Sequence, residues 1–284
     1  QKHVLAWNNC WCFGNGLESD RIRDDFNAPQ MDNGVKVSAT VSNDQLRQER
    51  RRFGLIWSGI YNAVAKVNET NQFIAAEPIT KEINPSNGSI QALKTRDTRI
   101  LLFCEDKVLR APTNRNILFN ADGNSQVVAS NAVIGDINAY QGDFGISTNP
   151  ESLATTPYKM YFTDVNRGKV LQVTSEGVTA ISEKGMKDYF ADYMAGYNQG
   201  GYQVQRALGS YDERKNEYNL TLTQKHTPLQ LTPDNQVTVS YSERSQGWVS
   251  FKTFWTEGNN RNIRGVQNGV SLNNNYYTFS DGHI

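Results

Sequence analysis

From Thr95 onward the chain repeats one local pattern: a short run of β-forming residues, a charged or glycine-bearing turn, and a second short run. TRILLFCEDKVLRAP opens the series, with Ile100–Cys104 and Val108–Ala111 on either side of Glu105-Asp106-Lys107. YKMYFTDVNRGKVLQVTSEGVTAIS repeats it. There Met160 and Phe162 alternate with Tyr161 and Thr163, Asp164–Gly168 turns, and Val170–Val173 returns. Ser175-Glu176-Gly177 turns again before Val178–Ile181. Ala207–Tyr211 and Tyr218–Leu222 then embrace a charged turn, and Val237–Tyr241 and Trp248–Phe254 embrace Ser242–Gly247. Asp, Asn, Ser and Gly favour such turns because they tolerate tight or left-handed backbone and bond their own main chain.

A lone hairpin is marginal in water, so each unit has to lean on a neighbour to bury its apolar side. Comparable units recur at about fifty residues, the length of a propeller blade. The fold class expected is therefore mostly β: β-propeller-like antiparallel blades over residues 95–284, with a short inserted amphipathic helix and an irregular N-terminal portion over residues 1–94. Tyr218, Leu220 and Leu222 fall on one strand face, and Asn219, Thr221 and Thr223 on the other, which reads as a half-buried strand. The helix is SEKGMKDYFADYM, where Met186, Tyr189, Phe190 and Tyr193 share a face and Ser182 is a candidate cap. It reads as a docking element, toward this chain or a neighbour. At the end, Tyr276–Phe279 reads as a strand followed by a Ser-Asp-Gly turn and a returning strand that is cut short. Together with a chain beginning at Gln1, this predicts a piece of a longer polypeptide, truncated at the C-terminal end of the blades.

The N-terminal portion is less regular. FGNGLESDRIRDDFNAP is polar and turn-rich. Val35, Val37, Thr40 and Val41 predict a short strand, and Asn43–Arg52 a short helix capped by Ser42 or Asn43. GLIWSGIYNAV fits a buried strand better than a helix, given Gly54, Gly59 and its β-formers.

Lys+Arg and Asp+Glu both number 29, so the formal net charge is zero. That argues against a protein that holds nucleic acid by bulk charge, which needs a basic surplus. It leaves room for a channel that DNA crosses without sticking. The three cysteines, Cys10, Cys12 and Cys104, do not make a disulfide framework, and no run is apolar and long enough to cross a membrane as a helix.

Several groups invite a chemical reading, and each has a plainer one. CWC at Cys10–Cys12 lacks the second pair of ligands that a zinc site uses, since only Cys104 and scattered His3, His226 and His283 remain. Gly14-Asn15-Gly16 lacks the Lys-Ser/Thr and helix of a phosphate loop. Glu18, Asp20, Asp24 and Asp25 are interleaved with Arg21 and Arg23, which pair with carboxylates and suit a salt-bridged surface better than a metal cluster. Arg50–Arg52 is a small basic run that could touch a phosphate backbone, though a solvated helix end or a carboxylate partner suits it better. A glycosidase would need two carboxylates flanking a sugar, whereas most acids here sit in hairpin turns. Trp7, Trp11, Trp57, Trp248 and Trp255 suit sugar stacking, though such rings more often serve as core or interface. No catalytic, cofactor-binding or metal residue is assigned, and no cofactor is expected.

Taken together, CFGNGLESDRIRDDFNAP, ERRRFGLIWSGIYN, NQFIAAEPITKEINPSNGSIQALKTRDT, CEDKVL, FNADGN, GISTNPESLA, YKMYFTDVNRGKVLQVTSEGVTAIS, SYDERKNEY and GWVSF resemble the stabilization protein, or tail muzzle, of crAss-like phages of gut Bacteroidales. The resemblance runs in order over most of the chain and covers an internal part of a longer family protein. It implies a non-enzymatic virion structural protein at the distal end of a short, podovirus-like tail, assembled in the host cytoplasm. It implies a homo-oligomeric nozzle ring, most readily a hexamer, that touches tail hub or ring proteins and tail fibres. Such a ring gates the channel through which genomic DNA passes without specific binding. The alternative is a carbohydrate-binding or glycoside-degrading β-propeller of a phage tail.

Overall fold

The computed structural model describes residues 52–59, 61–62, 64, 66–68, 70, 79–119, 125–195, 202–226, 235–252, 254, 256–257, 263–264 and 266–279. The expected strand at Val35–Val41, most of the helix at Asn43–Arg52, and the residues from Gln1 to Arg51 generally lie outside these. The chain divides into two units, residues 1–85 with 114–135, and residues 86–113 with 136–284.

In the first unit β1 (Gly54–Ile56) pairs antiparallel with a later strand, and β2 (Tyr61–Asn62) pairs with β3 (Val67–Asn68). The partner of β1 is β4 (Thr80–Glu82). The stretch GLIWSGIYNAV is thus not one buried strand. It is two short ones, with Ile56 40% and Tyr61 62% exposed. Alternation sends Ile56 to the side opposite Leu55, so a run apolar on both sides cannot be covered by a single short partner.

The second unit opens with β5 (Ile90–Arg96), β6 (Arg99–Cys104) and β7 (Val108–Phe119), an antiparallel meander. The expected pair Ile100–Cys104 and Val108–Ala111 is present in register, Ile100 opposite Ala111 and Phe103 opposite Val108. β5 carries little alternation and was not signalled by the sequence. The far end of β7 (residues 114–119) and β8 (Ser125–Ile134) belong to the first unit. β9 (Asn138–Ala139) pairs with β7 at Leu109 and Arg110.

Two four-stranded meanders follow. The first runs β10 (Ala154–Thr155), β11 (Met160–Asp164), β12 (Lys169–Val173), β13 (Val178–Ala180) in that spatial order. Next come a short α1 (Lys187–Phe190) and a π-turn over Ala191–Ala195. The second meander is β14 (Tyr202–Asp212), β15 (Glu217–His226), β16 (Asn235–Ser242), β17 (Gly247–Lys252). Two hairpins finish the described chain, β18 (Thr256–Glu257) with β19 (Ile263–Arg264), and β20 (Asn268–Leu272) with β21 (Asn275–Phe279).

The sheets of the second unit are stacked through two apolar layers. Leu101 and Phe103 of β6 meet Met160 and Phe162 of β11 and Leu171 and Val173 of β12. Phe103 and Phe162 touch edge to face at 5.3 Å. On its other side the same sheet sends Tyr161 and Val170 against Tyr218, Leu220 and Leu222 of β15 and Val239 and Tyr241 of β16. Each fully buried Leu or Phe contributes about 1.5–3 kcal/mol. The middle sheet is therefore buried on both faces, which explains why Met-Tyr-Phe runs without a polar break.

β15 departs from expectation. Tyr218, Leu220 and Leu222 are fully buried as read, yet Asn219 and Thr221 are buried too. Their face is polar but covered. Ser240 Oγ donates to Asn219 Oδ1 at 2.6 Å, Lys252 Nζ donates to the same oxygen at 2.9 Å, and Thr221 and Thr238 share a hydrogen bond of 2.8 Å. The β20–β21 hairpin lies beyond, where Tyr276 and Ser210 hydroxyls meet at 2.6 Å. These buried oxygens are tolerated because they are bonded to one another and to Lys252, while Asn219 Nδ2 is buried without a hydrogen-bond partner.

That hairpin gives the C-terminal strand an upstream partner, with Tyr276 opposite Ser271. The expected return after the Ser-Asp-Gly turn falls on residues 280–284, outside the described residues. The hairpin's turn is Asn273-Asn274, with φ of 50° and 62°. Two left-handed residues make the type I′ turn that matches strand twist, and Asn tolerates that region.

The helix is shorter than expected and faces inward. Phe190 and Met194 are buried in the layer around Tyr218, with Met186, Tyr189 and Tyr193 against it. Met186, not Ser182, is the N-cap, and no side chain caps the helix.

Candidate functional site

Glu243 leads β16 into β17, and its carboxylate ties two sheets together. It accepts from Lys159 Nζ at 2.9 Å, from Tyr211 Oη at 3.1 Å and from Tyr161 Oη. Tyr161 in turn accepts from Gln172 Nε2 at 3.0 Å. The Glu243 amide donates to Asn216 O at 3.1 Å, which fixes it to the β14–β15 turn. Burial works to raise the Glu243 carboxyl, but the hydrogen bonds from Tyr161, Lys159 and Tyr211 outweigh it and hold the pKa below the ordinary range. Burial, reinforced by the Glu243 charge, pushes the Tyr161 and Tyr211 hydroxyls well up. Both remain donors at neutral pH.

Glu243 forms part of the wall of a cavity of about 790 Å³. Two further hairpin tips supply Pro157 and Tyr158 between β10 and β11 and Glu213 and Asn216 between β14 and β15, and strand β20 supplies Asn268 to Ser271. The β10–β11 turn is firmly held. Thr156 N and Oγ1 both donate to Lys159 O, Lys159 N donates to Thr156 Oγ1, and Arg96 Nη2 donates to Tyr158 O at 2.8 Å. On this fixed turn the Tyr158 ring stands 79% exposed. Asp212 Oδ1 likewise accepts from Arg214 N and Lys215 N and shapes the opposite tip.

The residues weighed from sequence are placed elsewhere. Trp248 donates through Nε1 to Ile181 O at 3.0 Å and packs on Phe190 and Tyr241, so it is core. Trp57 is half-buried in the first unit. Cys104 is a buried free thiol whose pKa burial, then Glu105, pushes up to about 12. Arg52 is exposed. The side chain of His226, and Cys10, Cys12, Gly14, Gly16, the acidic group Glu18–Asp25, Arg50, Arg51, Trp7, Trp11, Trp255, His3 and His283, fall outside the described residues. Among the described residues no group of three or more His, Cys, Asp or Glu is placed to hold a metal ion, and no helix is long and apolar enough to cross a membrane. The cavity was missed from sequence because its wall gathers three separate turns and strand β20. Its one local sign is Tyr158, an aromatic directly after a turn proline.

No curated protein matches the chain. A family model described as Crassvirus muzzle protein matches residues 77–266, which is more than half of the 284 residues and takes in both four-stranded meanders. The chain therefore belongs to the Crassvirus muzzle protein family.

Proposed function

We propose that this chain is a structural component of a short-tailed phage tail, at the distal muzzle. There its stacked sheets are β-propeller-like blades in a stiff wall around the DNA exit channel. The observation that carries the reading is the middle sheet, β10 to β13, with a fully buried apolar layer on each side. A sheet clamped between two others deforms only by breaking both layers, which is what a stiff wall requires.

The family membership supports a place in the virion tail, and assembly in the host cytoplasm is part of the proposal. Zero net charge suits a wall that DNA slides past rather than binds. A closed homo-oligomeric ring, with a hexamer as the simplest candidate, would narrow or gate the channel. Tail hub or ring proteins and tail fibres are the expected neighbours. The role is mechanical, not enzymatic.

Cryo-electron microscopy of intact and emptied particles tests this. The expected result is density for this chain, as a ring, at the distal end of the tail in both. Finding the chain inside the capsid, or lost with the ejected DNA, overturns it.

A further inference from the structure

We infer that the cavity walled by Tyr158, Glu213, Asn216, Glu243 and Asn268 is a binding site for a neutral oligosaccharide. Its volume of about 790 Å³ lies in the range of small-ligand sites. The chemistry of its wall selects the ligand class. A sugar presents an apolar C–H face and a rim of hydroxyls. Tyr158 offers an exposed ring for the face. Glu213, Asn216 and Asn268 offer acceptors and donors for the rim.

Tyr158 has no packing role to account for it. A large ring that is 79% exposed, on a turn pinned by Arg96 and by Thr156, is held ready for something outside the chain. A pinned turn has little ordering entropy left to lose on binding. Exposed aromatics on rigid loops mark recognition more often than stability.

Charge narrows the class further. Lys159 is already paired with Glu243, and Glu213 has no ion pair among the described residues. The wall is thus net acidic, which disfavours phosphate, sulfated glycans and nucleic acid. The inference is of binding without cleavage. Glu243, whose oxygens already accept from Tyr161, Lys159 and Tyr211, is held ionised and is not the acid that would protonate a leaving group.

Saturation-transfer NMR on the full chain tests this, with N-acetylchitotriose, mannotriose and maltotriose as probes and a sulfated heparin tetrasaccharide as the anionic comparison. At least one neutral trisaccharide is expected to bind at millimolar concentration and remain uncleaved. Tyr158→Ala is expected to weaken that binding about threefold to tenfold. Phe251→Ala alters an exposed ring outside the cavity and is expected to leave it unchanged. No binding by any neutral probe, preference for the sulfated sugar, release of reducing ends, or equal effects of the two substitutions would each overturn the inference. The tail role does not depend on the outcome, because it rests on the family match and is tested separately by where the chain lies in the particle.

Discussion

Tyr161 of β11 and Tyr218 of β15 stack across neighbouring sheets, with ring centroids 4.8 Å apart and planes 15° from parallel. Tyr211 continues the stack at 6.0 Å. Tyr218 Oη donates to Ser152 O at 3.0 Å, and Tyr161 donates to Glu243. Each ring thus joins the two sheets by its face and by its edge. Stacked aromatic pairs add about 0.5–1.5 kcal/mol beyond their burial, and they fix the distance between sheets as well as holding them together.

Acid should loosen this junction through Glu243. A carboxyl whose pKa in the fold lies below its ordinary value of 4.5 stabilises the fold above that pH, and the contribution is lost as pH falls through the lowered value. Urea midpoints measured from pH 7 to pH 3 should fall below about pH 4.5. Glu243→Gln should be less stable at neutral pH and show a shallower acid decline. A decline of the same steepness in both proteins would mean that other carboxylates carry it.

Gly209 should not tolerate a side chain. A Cβ there would lie 2.0 Å from Ser152 O, so β14 approaches the Pro150–Ser152 turn only because the methyl is absent. Gly209→Ala is expected to cost about 1–3 kcal/mol in urea unfolding by forcing the sheets apart. Gly247→Ala is the comparison, because its Cβ would meet nothing nearer than 3.8 Å, and it should cost less than about 0.5 kcal/mol. Equal costs would show that strand propensity, not close approach, sets the requirement.

Asp164 should be the most sensitive acid in the second unit. Its buried carboxylate accepts from Gly145 N at 3.2 Å, Ser147 Oγ at 2.9 Å, Arg167 N at 3.1 Å and Arg167 Nη1 at 3.0 Å. Arg167 also reaches Asp106 at 3.1 Å, so one carboxylate organises the corner where three segments meet. Asp164→Asn keeps the size but replaces one acceptor oxygen with a donor. It is expected to cost about 1.5–3 kcal/mol by the same assay. A loss under about 0.5 kcal/mol would show that the corner is held by its backbone alone.

The sequence by itself determined the hairpins. Asp212 and Asn216 set the turn that places Tyr211 opposite Tyr218, and Glu105-Asp106-Lys107 set the one that places Phe103 opposite Val108. These are local matters, because turn chemistry fixes register within a few residues. It also determined which side chains share a face, so Tyr218, Leu220 and Leu222 were legible as an apolar stripe. What the opposite face meets was not legible. Periodicity reports that Asn219 and Thr221 point away from that stripe, and a polar face reads as solvated unless a partner is known. Only the tertiary structure brought Lys252, Ser240 and the β20–β21 hairpin over them. Only it gathered Tyr158, Glu213, Glu243 and Asn268 around one cavity. Those groups come from three turns and a strand far apart in the chain, and no local preference encodes which of them end up side by side once the sheets stack.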